Sequence, residues 1–556
     1  MPLLKRFYPY VIILVFSLVL FFPNLNNTTL FDWDEINFAE ASREMIINGD
    51  YSKVTINYIP FWEKPPLFFW LQATSMNVFG VNEFAARLPN AVFGIITLLT
   101  LFLIGKYHFD NKMGWLCVII YTGSFFPQFY FMMGMIDPVF NYFIFLGIYF
   151  LFRFSNDGRF IDAGGKKSIK WIFLSGLFTG FAILTKGPVA FLIVILVIAV
   201  YWLLKRKEFN LRFTELFYFN IVAFIVSTAW FGIETFQNGF FFLREFIVYQ
   251  IRLFSTQDAG HGGPFYYHFV IILIGLFPAS ILAIKGFKKI PSDSKVQKSY
   301  HTWMVILFWV VLILFSIVKT KIVHYSSLAY FPVTFLAAYF IYNVINNKSV
   351  WRRWIDWVLA VTSVLMTIVV ISLPLLFKYK ESWIDKVSDD FATALIMKPV
   401  VWTGFETIAF ILLPAGVLIF FLIRRKYKEG LYAGVITLFA IYAIGINISL
   451  KTFSPKIDLH LQKDIVDFYK SIQYEDVYCD VVGFKSYAHL FYTFKKNPEN
   501  KNSLDSEWLL NGEIDKSVYF VSKSQNIEKT LKENPNIRFL KRVGGYLVYY
   551  RDAVKK

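Results

Sequence analysis

Runs of apolar residues long enough to cross a bilayer recur along this chain from Tyr8 to Leu450. Nothing else in the sequence restricts the fold so strongly. A helix needs roughly 20 apolar residues to span the hydrocarbon core, and inside lipid only helices or a closed barrel satisfy their own backbone groups. Only 17% of the 556 residues are charged and 56% are hydrophobic, against about 25% charged in an ordinary soluble domain. So few charges cannot cover a chain of this size with water-binding groups. It reads as a mainly α, polytopic membrane protein. Length and apolarity predict about thirteen spans, centred near Leu14, Thr97, Tyr121, Phe145, Phe178, Val194, Ala223, Leu276, Val310, Phe335, Ser363, Pro414 and Phe439. The first, in "MPLLKRFYPYVIILVFSLVLFFPNL", has the charge order of a signal peptide but no small-residue cleavage site, so it reads as an uncleaved span.

Beyond Lys451 the apolar runs stop. Helical patterns in "DIVDFYKSIQ" and "NIEKTLKENP" alternate there with strand-like "DVYCDVVGF", "SVYFVSK" and "RVGGYLVYYR". That alternation predicts a small α/β domain. The expected organisation is a membrane domain over residues 1–450, whose first loop, about 24–84, carries juxtamembrane helices, followed by an α/β domain over 451–556.

A net charge of +17 would suit a nucleic-acid binder, but its placement argues otherwise. With Lys5 and Arg6 in the cytoplasm, the basic residues collect in alternate short loops: Lys106 and Lys112; Arg153 to Lys170; Lys205 to Arg212; Lys285 to Lys298; Lys348 to Arg353; and Arg424 to Lys428. That is the positive-inside pattern of a membrane protein, and no nucleic-acid partner is expected. An odd number of spans then puts the C-terminal domain outside. Cys117 lies in an apolar run and Cys479 in the polar tail, so neither a disulfide nor a metal-binding spacing is indicated.

The same topology gathers a second set of ionisable residues on the outer side: Asp32, Asp34, Glu35, Glu63, Lys64, Asp137, Lys186, Arg244, Arg252, His261, Lys319, Lys321 and His324. Charges at the ends of membrane spans are costly and usually functional. In "FDWDEINFAEASREM", Asp32 reads as a helix N-cap with Glu35 in the capping-box position, which leaves Asp34 unused by the cap. In "FWEKPPLFFW", Pro65 and Pro66 suit the first turn of a helix continuing through "LFFWLQATSMNVFG". Its free N–H groups attract anions, and Lys64 adds a full positive charge beside them. The stretch reads either as a rigid phosphate seat at the membrane surface or as a plain turn in which Glu63 and Lys64 pair. Asp137 in "MGMIDPVF", Lys186 in "ILTKGPVAF", His261 in "STQDAGHGGPFYYH", and Lys319, Lys321, His324 and Tyr325 in "VKTKIVHYSSLAYFP" each occur where the chain meets the outer face. Any one of these could be structural. Together they suit an anionic lipid headgroup.

These motifs carry a resemblance. "DWDEINFAEASREMIINGDY", "IPFWEKPPLFFWLQATSMNVFGVNEFAARLPN", "TKGPVAFLIV" and "HGGPFYYH" are similar to the bacterial lipid A aminoarabinose transferases, within the protein O-mannosyltransferase superfamily of the GT-C glycosyltransferase class. The likeness is strongest from Phe31 to about Ala190 and weaker to about Pro332. It implies a glycosyltransferase in the bacterial cytoplasmic (inner) membrane, with its active site and C-terminal domain extracytoplasmic. Such an enzyme takes one sugar from a polyprenyl-phosphate donor and passes it, with inversion, to lipid A, another glycan or a protein. By position the resemblance implies catalytic roles for Asp34, Glu35 and Asp137. Lys64 would lie at the donor phosphate, with Lys186, Arg252, Lys319, Lys321, His324 and Tyr325 lining the cavity. Glu63 and His261 match a pair that can hold a divalent metal ion in some members, and no cofactor is otherwise implied. The chain departs from the lipid A enzymes at Asn37, where they have a basic residue, at Phe38, where they have Tyr, and in "KIVHYSS", where they have a Leu-Pro turn. The oligosaccharyl transferase signature "WWD" is absent. Two alternatives share the donor: a ligase moving a whole polyprenyl-linked glycan, and a flippase for lipid-linked sugars.

Overall fold

The computed structural model describes residues 2–156, 168–206, 211–256, 262–523, 531 and 534–554. The protein is a polytopic helical bundle with a small sheet domain at one end. Every predicted span centre falls in a helix, except Leu276, which sits at a 110° break between Tyr267–Gly275 and Ala279–Gly286. Among the described residues nine helices are long and apolar enough to cross a membrane, or ten with that bent pair. The expected thirteen is therefore not reached. Asn111–Thr122, Lys170–Lys186 and Val189–Leu204 have 12, 17 and 16 residues, about 18–26 Å of helix at 1.5 Å per residue. Apolar loop residues beyond the helix ends lengthen these runs in the sequence without lengthening the helices.

Two short helices from the first loop, Asp34–Asn48 and Leu67–Phe79, lie at the end of the bundle that carries the sheet domain. Between them a hairpin of β1 (Thr55–Ile56) and β2 (Ile59–Pro60) turns through Asn57 and Tyr58, both at positive φ. Tyr58 is an unusual residue in that conformation. It is held there from both sides: its N–H donates to Glu44 Oε2 at 3.0 Å and its hydroxyl to the Lys495 carbonyl at 2.6 Å.

The last membrane helix, Gly430–Leu461, runs past residue 450 before the sheet domain begins with the helix Lys463–Ser471. The sheet has strand order β3-β4-β6-β5, with β3 Tyr478–Val482, β4 Val518–Ser522, β5 Ile537–Val543 and β6 Tyr546–Arg551. β3 and β4 pair in parallel, the other neighbours antiparallel. "RVGGYLVYYR", read as strand-like, holds the end of β5, a turn and the whole of β6, because Gly544 takes φ +58° and reverses the chain. "NIEKTLKENP" lies almost entirely outside the described residues.

The sheet domain is fastened to the first loop. Ile465, Val466, Tyr469 and Tyr492 pack in one buried cluster with Leu30, Ile36, Ala39 and Met76. Around it, Asp458 accepts from the Thr29 N–H (2.9 Å) and hydroxyl (2.6 Å), the Tyr492 hydroxyl accepts from the Leu30 N–H (2.8 Å), and Lys495 Nζ donates to Asn57 Oδ1 (2.7 Å). The segment bearing Asp34 and Lys64 is thereby held between the bundle and the sheet.

Candidate active site

Each candidate side chain is set by a local break in a helix. Asp34 is the first residue of the helix Asp34–Asn48. The capping box expected for Asp32 and Glu35 does not form: Trp33 occupies the cap position and no side chain caps the end. Lys64 precedes Pro65 and Pro66, and the helix Leu67–Phe79 starts directly after them, as the prolines require. Asp137 opens the membrane helix Asp137–Asn156. Lys186 is the last residue of Lys170–Lys186, where a cation is favoured by the helix dipole. Gly187 follows it at φ +100°, and a Cβ there would stand 2.9 Å from the Phe246 ring. His324 and Tyr325 lie in a 3-10 helix, Val323–Ala329, that leads into the helix Tyr330–Ile345.

Side chains from four of these breaks converge. Lys186 Nζ is 2.6 Å from Asp137 Oδ1 and 5.1 Å from the centre of the Tyr325 ring. His324 Nε2 is 3.6 Å from Asp34 Oδ2 and 3.7 Å from Asp137 Oδ2. Asp137 is buried, whereas the Asp34 side chain keeps 33% of its surface exposed, so Asp34 is the carboxylate open to a reactant. Lys64 stands close enough for its ammonium to interact with Glu63, Lys186, Asp34 and Asp137. Burial in that crowded corner pulls the Lys64 ammonium below the usual lysine range, with Glu63 opposing and Lys186 adding to the shift.

Tyr249, not singled out by the sequence reading, organises the neighbouring corner. Its hydroxyl donates to Glu63 Oε2 at 2.7 Å, and its ring carries Lys64 Nζ on one contact and the Arg252 guanidinium on another, each 5.0 Å from the centroid. The i, i+3 spacing of Tyr249 and Arg252 on the helix Phe240–Ser255 was the available signal. Glu63 and Lys64 therefore meet across Tyr249 as well as along the chain.

Other expected residues are engaged elsewhere. Glu35 lies instead in a buried pair with Arg87: Arg87 Nε and Nη2 donate to its two oxygens at 2.9 and 2.8 Å, and the Phe31 and Gly134 N–H groups donate too. Arg87 also donates to the carbonyls of Leu25, Thr28 and Thr29. Lys321 is buried, and its ammonium donates to the carbonyls of Phe315, Ser316 and Val318 (3.0, 2.6 and 2.5 Å), which a helix end leaves without intrahelical partners. It serves the end of Lys295–Ile317 rather than a ligand. Lys319 is exposed beside it. His261 lies outside the described residues. Glu63, its expected metal partner, accepts from Tyr249, and among the described residues no group of three or more His, Cys, Asp or Glu could hold a metal ion.

Residues 63–231 match the family model described as dolichyl-phosphate-mannose-protein mannosyltransferase. The undecaprenyl phosphate-alpha-4-amino-4-deoxy-L-arabinose arabinosyl transferase of Shewanella sediminis is 26% identical over 61% of this chain and 61% of its own length. That of Photorhabdus laumondii is 27% identical over 60% and 59%. The matches thus span about three fifths of the curated relatives' length. In fold, the crystal structure of ArnT from Cupriavidus metallidurans bound to undecaprenyl phosphate superposes with a TM-score of 0.77 at 17% identity, covering 99% of this chain and 100% of that one. The chain is a multi-pass membrane protein with the fold of that ArnT structure, the GT-C fold, and over about three fifths of its length it is similar to the arabinosyl transferases.

Proposed function

We propose that this protein transfers a single sugar from a polyprenyl-phosphate donor to an oxygen of a lipid A, glycan or protein acceptor, on the outer face of the bacterial cytoplasmic membrane. One observation carries the reading: an accessible carboxylate, Asp34, stands in one cluster of charges with the Asp137–Lys186 pair, His324 and Lys64. The undecaprenyl phosphate in the structure of the Cupriavidus protein supports a donor of that class.

The chemistry follows from the donor. A phosphate on the anomeric carbon is already a fair leaving group, so what it needs is stabilisation of the charge that develops as the bond breaks. Lys64, fixed by two prolines, and Lys186, placed at a helix end, supply cations; the start of the helix Leu67–Phe79 supplies N–H groups. Asp34 orients the acceptor and takes its proton. Attack opposite the departing phosphate inverts the anomeric configuration. Asp137 is too buried to meet the acceptor and holds Lys186 in place. The ionisable groups stand at helix ends, whereas carriers bind their cargo at discontinuous spans near the bilayer midplane, which favours transfer over transport.

The test is turnover in purified protein with a polyprenyl-phosphate-linked single sugar. Asp34→Asn and Lys64→Ala should each lower transfer at least about 100-fold while expression and folding persist. Near-normal turnover in both variants removes the assignment. Transfer of a whole glycan but never of a single sugar would identify a ligase.

A further inference from the structure

We infer that the face of Trp33, together with Tyr487 and Lys485 of the sheet domain, seats the acceptor: a sugar ring lies on the aromatic pair, and a negative group on that sugar meets the Lys485 ammonium. The inference rests on the transferase reading above and names the acceptor subsite of that same site.

Trp33 directly precedes Asp34 and keeps 38% of its surface exposed. Its polar edge is already used. The amide of the buried Asn37 donates to the Trp33 carbonyl at 2.9 Å and accepts from the indole N–H at 3.0 Å, the orientation in which each amide atom meets its complement. What Trp33 can offer a ligand is therefore a ring face, and Asn37 keeps that ring from turning. Tyr487 lies against it, with ring centres 5.4 Å apart and planes 32° off parallel. Lys485 Nζ stands 4.9 Å from the indole centre and 5.7 Å from the phenol centre. Two rings and an ammonium form a close triangle.

The sheet domain builds its half of this triangle by alternation. Between β3 and the helix Ala488–Tyr492, Lys485 and Tyr487 turn to Trp33, while Phe484 meets the Tyr546 ring at 6.0 Å and Ser486 is buried. Ser486 and Lys523 act on the Asp32 carboxyl from the sheet-domain side, and Lys523 Nζ also rests 4.5 Å from the centre of the Phe484 ring. Lys523 is partly buried and helps hold the domain to the first loop, whereas Lys485 is exposed. A ring face draws an ammonium more weakly than a full negative charge does, so an arriving anion takes Lys485 over from the rings.

This platform borders the charged cluster twice. Along the chain it adjoins Asp34. Through space, the Tyr487 hydroxyl is close enough to Glu63 to be affected by it: burial raises the phenol, Lys485 opposes and Glu63 adds. The donor phosphate, tethered to the bilayer, has its cations at Lys64 and Lys186, so the acceptor enters past the sheet domain, where Trp33 and Lys485 stand. A sugar suits this seat because the C–H bonds of its ring form an apolar face that covers an aromatic one, with its hydroxyls left at the rim. The rings alone would take any sugar. Lys485 beside them favours one that bears a phosphate or a carboxylate, and a threonine side chain has no ring with which to cover the indole.

The experiment uses the full chain in nanodiscs with an undecaprenyl-phosphate-linked pentose as donor. The acceptor probes are two acidic disaccharide lipids, one bearing a phosphate and one a carboxylate, their neutral parent, and a threonine-rich peptide. Wild type should bind at least one acidic lipid about 10-fold or more tighter than the neutral parent or the peptide, and which acid it prefers identifies the anion. Trp33→Ala and Lys485→Ala should each raise KM for that lipid about 10-fold while KM for the donor is unchanged. Trp33→Phe and Lys485→Arg should keep most of the affinity, and added salt should weaken binding in wild type more than in Lys485→Ala. Equal binding of all four probes, an acceptor KM unchanged in Lys485→Ala, or a rise in donor KM instead of acceptor KM overturns the inference, while release of undecaprenyl phosphate from the donor still supports the transferase. A wild type that neither binds undecaprenyl phosphate nor releases it from the donor overturns the transferase reading itself.

Discussion

Glu44 shows how much a single buried side chain can bind a protein's stability to pH. It lies on the inward face of the helix Asp34–Asn48 beside the Glu40–Arg43 pair, whose contacts are 2.7 and 2.6 Å. Its Oε2 accepts from Thr55 Oγ1 at 2.7 Å and from the Tyr58 N–H, but its Oε1 has no hydrogen-bond partner among the described residues. Burial, reinforced by Glu40, pushes its carboxyl up to about 8. The folded state therefore holds this proton more tightly than the unfolded chain, whose glutamate titrates near 4.5. Protonation favours folding, so its contribution is fully present below that value and is lost as pH rises through about 8. The apparent Tm of wild type should fall between pH 5 and 9. Glu44→Gln, which mimics the protonated group, should flatten that dependence and be the more stable protein at pH 9. A pH profile of Tm unchanged by the substitution would show that Glu44 does not titrate in this range.

Among the elements, the first loop does most to create the site, and Arg87 is what fixes it. From the membrane helix Glu83–His108, Arg87 binds three loop carbonyls and both oxygens of Glu35, while the preceding residue, Asp34, meets His324. Removing one partner of a buried ion pair costs about 3–5 kcal/mol because the other charge is stranded, while exchanging both for neutral groups costs far less. Arg87→Met should therefore lower thermal stability and weaken transfer together. Arg87→Met with Glu35→Gln should regain much of the stability, measured by thermal denaturation of purified protein. No recovery in the double variant would mean that the loop carbonyls, not Glu35, are the essential partners of Arg87. The helix Leu67–Phe79 was legible because prolines announce a helix start by their missing N–H. The role of Glu35 was not, since its spacing from Asp32 fits a capping box and Arg87 lies 52 positions away. Lys321 was misread for a similar reason: a lysine near a membrane surface looks available until the helix end that it satisfies is in view.

For the whole molecule, sidedness is the property on which the site depends. The basic loops and the sheet domain should lie on opposite faces of the membrane. Both native cysteines are buried, so labelling by an impermeant maleimide starts from a low background. Tyr474→Cys, at a position 93% exposed in the sheet domain, should label in cells with a permeabilised outer envelope. Val350→Cys, 66% exposed in a loop next to Arg352 and Arg353, should label only after the inner membrane is opened. The reverse pattern would put Asp34 and Lys64 in the cytosol and end the functional reading.

By itself the sequence determined the class of solvent this chain folds in, the approximate place of each helix, and the few kinds of residue that could do chemistry. Those features are written locally: apolar run length, proline and glycine positions, and charge at helix ends act over a turn or two of chain. Only the tertiary structure decided which of the candidate charges meet. Asp34 with His324, Asp137 with Lys186, Lys64 with Tyr249, and Glu35 with Arg87 are pairings across distant segments. A charge in a low-dielectric surrounding takes whichever partner packing brings within a few ångströms, and packing of that kind is a property of the assembled bundle.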